Sequence, residues 1–400
     1  MAKLTVKNVG PIQEAELDVK KHTVFIGPQG TGKSTLAKLI AIGSDSKLGN
    51  PRKQNFNSLI KKYGLEQYID IQNTHITFEN SNFKFLYKGD LDLILTDIGQ
   101  EIIESYRKRF ASVNPEYNNI LSLLDFQKTT VNNPENIFYG NNQVHSQNFY
   151  RQVLPFLTGP YSILIPTERH ILSILDNSIW SLIDTDINLP QLITTFGREF
   201  EKARHRETKL SLPFLGITYS YENGNNLIYH TGIQFTDLSQ SASGFQSTVP
   251  LVSVVEYQRQ ENARRFIIEE PELNLYPTAQ KDLIYALIGG LNPDVSYQDA
   301  EWVFTTHSPY VLSSFNTLML AYKVGNQSDE LRAEVEKIIP SRCWINPDDF
   351  AAYYVDNGTV RSIVSEQTGM IAENELDDVS DDLADEQDKL FALRRSSSRA

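Results

Sequence analysis

Two hydrophobic rhythms alternate along the chain. From Leu4 to Val19, LTVKNVGPIQEAELDV, apolar and polar residues take turns on either side of Gly10-Pro11, the period-two pattern of a half-buried hairpin. Val24, Phe25 and Ile26 then form a short apolar run, a buried strand, and Leu36, Leu39 and Ile40 follow at helical spacing. Tyr68 to Asp90 returns to period two around the turn residues Glu79-Asn80-Ser81-Asn82 and predicts more antiparallel sheet. From Leu91 to about Leu157 the pattern reads as helical, with Leu93, Ile94, Ile98, Ile102 and Ile103 on one side and an Asn-rich loop near Val131–Gln147. SILIPTERH, Ser162 to His170, is a strand, and a second helical stretch runs from Ile171 to Lys209. Gly216 to Gly232 reads as a hairpin; FIIEE from Phe266 and VFTT from Val303 are apolar strands. DFAAYYVDNGTVRSIVSEQ, from Asp349, suggests a two-stranded element. Near the C-terminus Leu376, Val379, Leu383, Leu390 and Leu393 make one apolar stripe on a very acidic helix, suited to packing on its own domain or to binding a partner.

Chemistry enters between the first buried strand and its helix. Gly27-Pro28-Gln29-Gly30-Thr31-Gly32-Lys33-Ser34 matches G-x-x-x-x-G-K-[ST] in full, with Thr35 following. Glycines let backbone N–H groups converge on a phosphate chain, and the helix N-terminus adds its dipole. Lys33 is expected to reach the β- and γ-phosphates of ATP, and the Ser34 hydroxyl to ligate Mg²⁺.

A phosphate loop needs an acidic counterpart at a neighbouring strand end. FIIEEPELNLYP, Phe266 to Pro277, places Glu269, Glu270 and Glu272 at the mouth of an apolar strand, where close carboxylates need a cation. Glu269 is expected on the metal side and Glu270 as general base, with Pro271 turning the chain. VFTTHSPYVL ends a further strand at His307, which could hydrogen-bond a γ-phosphate or be merely structural. DLSQSASGFQS, Asp237 to Ser247, is a run of small polar residues opening a helix, taken alone an ordinary loop and N-cap.

Composition sets bounds. The 400 residues, 40% hydrophobic and 22% charged, fit a globular protein, and there is no apolar run long enough to span a membrane and no signal-peptide pattern, so a cytoplasmic location is expected. A single cysteine, Cys343, excludes an internal disulfide and a cysteine zinc site. The net charge of −13 disfavours long nucleic-acid backbones, and the basic clusters at Arg107-Lys108-Arg109 and Arg204-His205-Arg206 read more readily as solvated helix faces.

The order of these motifs, phosphate loop, S-x-S-G-x-Q, hhhEEPE and TTHS, resembles the ABC-type ATPase head, within it the OLD and RecF-like branch related to SMC proteins. The resemblance spans Leu4 to Leu312 and implies an α/β head with an N-terminal antiparallel β lobe and helical insertions. It makes Ser243 and Gly244, with Ser241 and Gln246, the signature motif that completes a neighbour's site. It also makes Glu269 the Walker B acid, Glu270 the catalytic glutamate, Asn274 part of the D-loop and His307 the switch histidine. Two positions depart from the pattern: Glu269 stands where Asp is usual, and no Q-loop glutamine is evident, with Glu168, Arg169 and Gln72 as weak candidates. The expected organisation is residues 1–90 as an N-terminal ATPase lobe and 91–210 as helical insertions around a core strand at about 160–168. Residues 211–325 are expected to form the C-terminal lobe, and 326–400 an extension with the acidic helix.

Stand-alone heads of this branch resemble ATPase subunits of prokaryotic anti-phage systems of the PARIS and Septu type. That resemblance implies slow ATP hydrolysis in a sandwich dimer or an oligomer of dimers, a separately encoded effector nuclease of TOPRIM or HNH type, and a phage-encoded trigger. No nuclease signature is evident in the chain itself, apart from Arg198 and His205 at the spacing of a two-residue HEPN ribonuclease motif. A RecF-like DNA-repair ATPase that binds DNA directly is the alternative, and direct nucleic-acid contact is left open.

Overall fold

In the computed structural model, residues 2–45, 53–101, 105, 161–175, 189–230, 234–261, 263–292, 300–372 and 384–391 are described. The strands are β1 (Ala2–Val9), β2 (Ile12–Val19), β3 (His22–Ile26), β4 (His75–Glu79), β5 (Phe83–Tyr87), β6 (Leu91–Leu95), β7 (Tyr161–Ile165), β8 (Lys209–Leu212), β9 (Ile217–Glu222), β10 (Asn225–Tyr229), β11 (Phe235–Asp237), β12 (Ala263–Glu269), β13 (Glu301–Thr306), β14 (Phe350–Asp356) and β15 (Thr359–Ser362). The helices named below are α1 (Lys33–Gly43), α2 (Lys53–Lys62), α3 (His170–Leu175), α4 (Gln191–Arg206), α5 (Ser243–Gln260), α6 (Pro277–Gly289), α7 (Pro309–Gly325) and α8 (Asp329–Ile338).

The apolar runs of the sequence meet in one six-stranded sheet of order β15-β14-β3-β13-β12-β7. Its pairs β14–β3, β3–β13, β13–β12 and β12–β7 are all parallel. Both faces are covered, which is why these strands lack polar alternation. Val24, Ile26, Phe266, Ile268, Trp302 and Phe304 point into one core with α4 to α7, whereas Phe25, Ile267 and Val303 point into the other with α1 and α2. Glu269 pairs with Thr305 and Thr306 with Ile26, so β12, β13 and β3 end level at their carboxyl ends. That rim is where parallel α/β sheets hold ligands.

The antiparallel lobe is the five-stranded sheet β2-β1-β4-β5-β6, whose buried face (Leu4, Val6, Leu17, Ile76, Phe78 and Phe85) packs over α1 and α2. A four-stranded antiparallel sheet, β11-β10-β9-β8, leads into α5. Two expectations change. Leu91–Leu95 is not helical: it pairs with β5 from Tyr87↔Leu91 to Phe83↔Leu95, across a tight turn at Gly89 (φ +76°). Helix begins only at Asp97, where Thr96 Oγ1 accepts from Gly99 N at 3.2 Å. The hydrophobic spacing of LDLIL suits either state, and the free edge of β5 decides it. The rest of the first helical insertion, 102–104 (with Ile102 and Ile103) and 106–160, lies outside the described residues, as does 176–188 of the second.

The hairpin foreseen after Asp349 also has a larger place than an appendage. Its first strand, β14, lies parallel to β3 in the middle of the main sheet, from Phe350↔His22 to Tyr354↔Ile26. Its turn binds the N-terminal hairpin, with Gln13 N and Glu14 N donating to Gly358 O at 2.8 and 3.1 Å.

Candidate functional site

The loop between β3 and α1 has the backbone that its sequence demands. Gly27 has φ +144°, and a Cβ there would lie 2.2 Å from the Val355 carbonyl oxygen of β14. Gly32 has φ +107°, and a Cβ there would meet Ile12 Cδ1 at 2.5 Å. Any side chain at either position would open the loop, both by strain and by overlap. Gly32 is also the N-cap of α1 and offers no side-chain acceptor, and no acidic residue occupies the first turn. The first N–H groups of α1 are thus left for an anion. Thr31 Oγ1 donates to Pro28 O at 2.9 Å and steadies the exposed Pro28-Gln29-Gly30 crest. Lys33, only 5% exposed, donates from Nζ to Gly27 O at 2.8 Å and Pro28 O at 2.7 Å. Burial pulls its pKa down to about 8, against the opposing pull of Glu270 and Glu272. Thr35 is also buried in α1.

At the end of β12 two adjacent glutamates diverge. Glu269 is 4% exposed and turns toward α1, where its carboxylate is hydrogen-bonded by the Ser34 hydroxyl and the Thr167 N–H and lies within the field of Lys38. Burial, the largest influence, pushes its pKa up, and its Oε1 has no hydrogen-bond partner. A buried carboxylate oxygen left open beside a serine hydroxyl is the donor set that fits Mg²⁺. Glu270 turns the other way. It has φ +44°, its N–H donates to Thr305 O at 2.9 Å, and its Oε1 lies 3.5 Å from His307 Nε2. Hydrogen bonding from His307 is the main reason its carboxyl is held below the usual range.

Glu272, the third carboxylate of the EEPE run, has a definite position. Its Oε1 accepts from Thr306 Oγ1 at 2.6 Å and from His307 N at 2.8 Å, so it fixes the loop that carries His307. Burial raises its pKa, and its Oε2 is enclosed without a partner. Ser308 caps α7 through Tyr310 N and donates to Gln280 Oε1 at 2.6 Å. The signal available in sequence was the third glutamate of EEPE itself, which a solvated turn would not need.

The small polar run is more than a loop. Ser243 is exposed at the first position of α5, and among the described residues no hydrogen bond links it to the phosphate loop of its own chain. Gly244 is buried, and a Cβ there would approach Asn274 O to 2.9 Å and Leu275 Cδ2 to 3.2 Å. Asn274 itself has φ +61°. Gln246 Nε2 ties the run together by donating to Ser239 O and Ser241 O at 2.9 and 3.0 Å, and Ser247 Oγ donates to Leu273 O at 2.8 Å.

The weak Q-loop candidates separate. Glu168 and Arg169 follow β7 beside the site, the first exposed and the second fully buried. Gln72 sits in an exposed turn of the antiparallel lobe, its N–H donating to Asp70. Arg198 and His205 lie on the exposed side of α4; His205 Nε2 is 2.8 Å from Glu201 Oε1 and its ring meets Tyr221 edge-on. Of the acidic C-terminal helix, 384–391 is helical and exposed, including Leu390 and Phe391; residues 373–383 and 392–400 lie outside the described residues. No helix among the described residues is long and apolar enough to cross a membrane.

The chain is similar to several known proteins. The chain is 25% identical over 358 residues to the OLD nuclease of Thermus scotoductus, an alignment that covers 81% of this chain and 62% of that protein. Solved structures include the SMC head bound to the C-winged helix domain of ScpA (10% identity, 92% of this chain and 99% of that one, TM-score 0.40). The SMC head domain from Thermotoga maritima is also similar (12% identity, 91% and 98%, TM-score 0.37). The model of the AAA ATPase domain family matches residues 1–312, the stretch that holds the phosphate loop, the paired glutamates and His307. The chain belongs to that family, and its ATPase domain lies in that stretch.

Proposed function

We propose that the level ends of β3, β12 and β13 form the hydrolytic site of an ATP-driven regulatory subunit that works as a sandwich dimer. The observation that carries this reading is the opposite orientation of Glu269 and Glu270. One pairs with Ser34 under α1; the other faces His307. In this reading Gly27 to Thr35 hold the phosphates, and Lys33 leaves the Gly27 and Pro28 carbonyls for the β- and γ-phosphate oxygens. Ser34 and Glu269 hold Mg²⁺, which when bound neutralises phosphate charge. Glu270 accepts a proton from water as the water oxygen bonds to the γ-phosphorus and the bond to the bridging oxygen breaks, releasing ADP and phosphate. His307, placed by Glu272, donates to the γ-phosphate. Ser243 and Gly244 of a second copy complete the site from outside, which accords with the exposure of Ser243.

The output we propose is control of a nuclease carried on another chain, in an anti-phage defence complex. The support is the relative named as a nuclease, of which this chain spans 62%. Expressed with its genomic neighbours, the chain should co-purify with a nuclease whose activity changes when Lys33→Ala blocks nucleotide binding. A purified chain that alone cuts DNA or RNA, with the cutting abolished by His205→Ala and not by Lys33→Ala, would overturn this assignment.

A further inference from the structure

Among the described residues Arg169 is the one arginine with 0% exposure, yet none of its hydrogen bonds goes to a carboxylate. Its Nη2 donates to Glu270 O at 2.7 Å, and its Nη1 to Glu269 O at 2.7 Å and Pro166 O at 3.1 Å. Its Nε donates to Ser247 O at 3.0 Å. The three segments so joined are far apart in sequence: the turn after β7, the end of β12 and the first turns of α5. Burial brings its pKa down only to about 10, so the guanidinium is charged at neutral pH.

A buried cation is an expensive way to fill a core, and a shape-matched apolar side chain would serve packing alone at least as well. What an apolar side chain could not do is hold carbonyls. Glu270 occupies the left-handed region at φ +44°, which a residue with a Cβ adopts only when its surroundings enforce it. Its two peptide groups are both tied, the N–H to Thr305 O and the carbonyl to Arg169. Release of the carbonyl would let φ relax to negative values and turn the Glu270 carboxylate away from His307.

We propose that Arg169 is a positioning residue for hydrolysis: it holds the Glu270 backbone in its left-handed conformation and ties that conformation to the start of α5 through the Ser247 carbonyl. Its planar fork of donors spans the two sites at once, which a lysine ammonium cannot do. The inference rests on the reading of Glu270 as general base. It adds that α5, whose first residue Ser243 faces outward, bears on Glu270 through one guanidinium.

A double-mutant cycle on the full chain tests this, with Arg169→Met, Glu270→Gln and the pair, reading kcat, equilibrium ATP affinity and thermal melting. Arg169→Met is expected to lower kcat by about tenfold or more, within the roughly 10²- to 10⁴-fold available from a general base, while ATP affinity stays within about threefold. In the pair, Arg169→Met should add nothing to Glu270→Gln, because both remove the same contribution. Arg169→Lys should fall between wild type and Arg169→Met, and it replaces Arg169→Met in the cycle if that variant fails to fold. Losses that multiply, or a normal kcat in the arginine variant, would overturn the proposal with Glu270 intact as base. A normal kcat in Glu270→Gln would instead overturn the reading of Glu270, and the inference with it.

Discussion

Glu269 and Glu270 are neighbours in sequence and belong to different regions of the site. On the flank under α1, Glu269 is enclosed and pushed up in pKa by burial, with one oxygen left open. On the flank toward β13, Glu270 is half-buried and held down in pKa by His307. The first environment suits a group waiting for a cation; the second keeps a carboxylate charged and able to take a proton. The left-handed backbone of Glu270 itself, just past the end of β12, sends the two side chains apart. Adjacent identical residues thus acquire different chemistry from the direction in which the backbone delivers them.

The largest expected effect comes from exchanging the flanks. Glu270→Gln should lower kcat by roughly 10²- to 10⁴-fold with Mg²⁺-dependent ATP binding preserved. Glu269→Gln should instead weaken the Mg²⁺ dependence of binding, seen in a metal titration of nucleotide affinity. Equal phenotypes would erase the distinction. Next, Lys33→Ala removes charge-assisted hydrogen bonds to the β- and γ-phosphates, each about 1.5–3 kcal/mol, and should cost at least about 100-fold in ATP affinity by equilibrium titration with the melting curve retained.

The pH dependence is smaller. Free Lys33 loses its proton near pH 8, and phosphate favours the protonated form. ATP affinity should therefore be flat below pH 8 and fall by about tenfold per unit above it, until the pKa of the bound state is reached. The unliganded fold moves oppositely: the unfolded chain holds this proton more tightly, so stability rises as pH climbs from about 8 toward 10.5. Affinity that stays flat to pH 10 would overturn this linkage between Lys33 and the phosphates.

The smallest effect is at Glu272. Its burial already favours the neutral acid, and Glu272→Gln keeps an acceptor for Thr306 and His307, so kcat should change by no more than about threefold. Glu272→Ala strands both donors and should cost about 1–3 kcal/mol in urea unfolding. A large effect of Gln would mean that its charge, and not its geometry, serves the site.

Legibility of the site followed the range of the interactions. The phosphate loop was plain because its glycines, lysine and serine are consecutive, and its conformation is local. The EEPE run announced an acidic site, and the TTHS strand end announced its neighbour. Arg169 was only a weak candidate for a different role, since its partners lie 78 to 101 positions away at Ser247, Glu269 and Glu270. Gly244 was named through the motif order, but its need for glycine comes from the Asn274 carbonyl and not from any turn of its own.

By itself the sequence determined which segments are strands buried on both faces, where the phosphate loop folds and which carboxylates stand opposite it. These follow from side-chain periodicity and from glycine, which act over a few residues. Only the tertiary structure decided that Leu91–Leu95 is a strand, that β14 fills the main sheet beside β3 against Gly27, and that Glu269 and Glu270 face apart. Each of these depends on a sheet edge, a close approach or a buried donor supplied by a distant part of the chain. Hydrophobic patterning marks what must be buried; it does not name the partner that buries it.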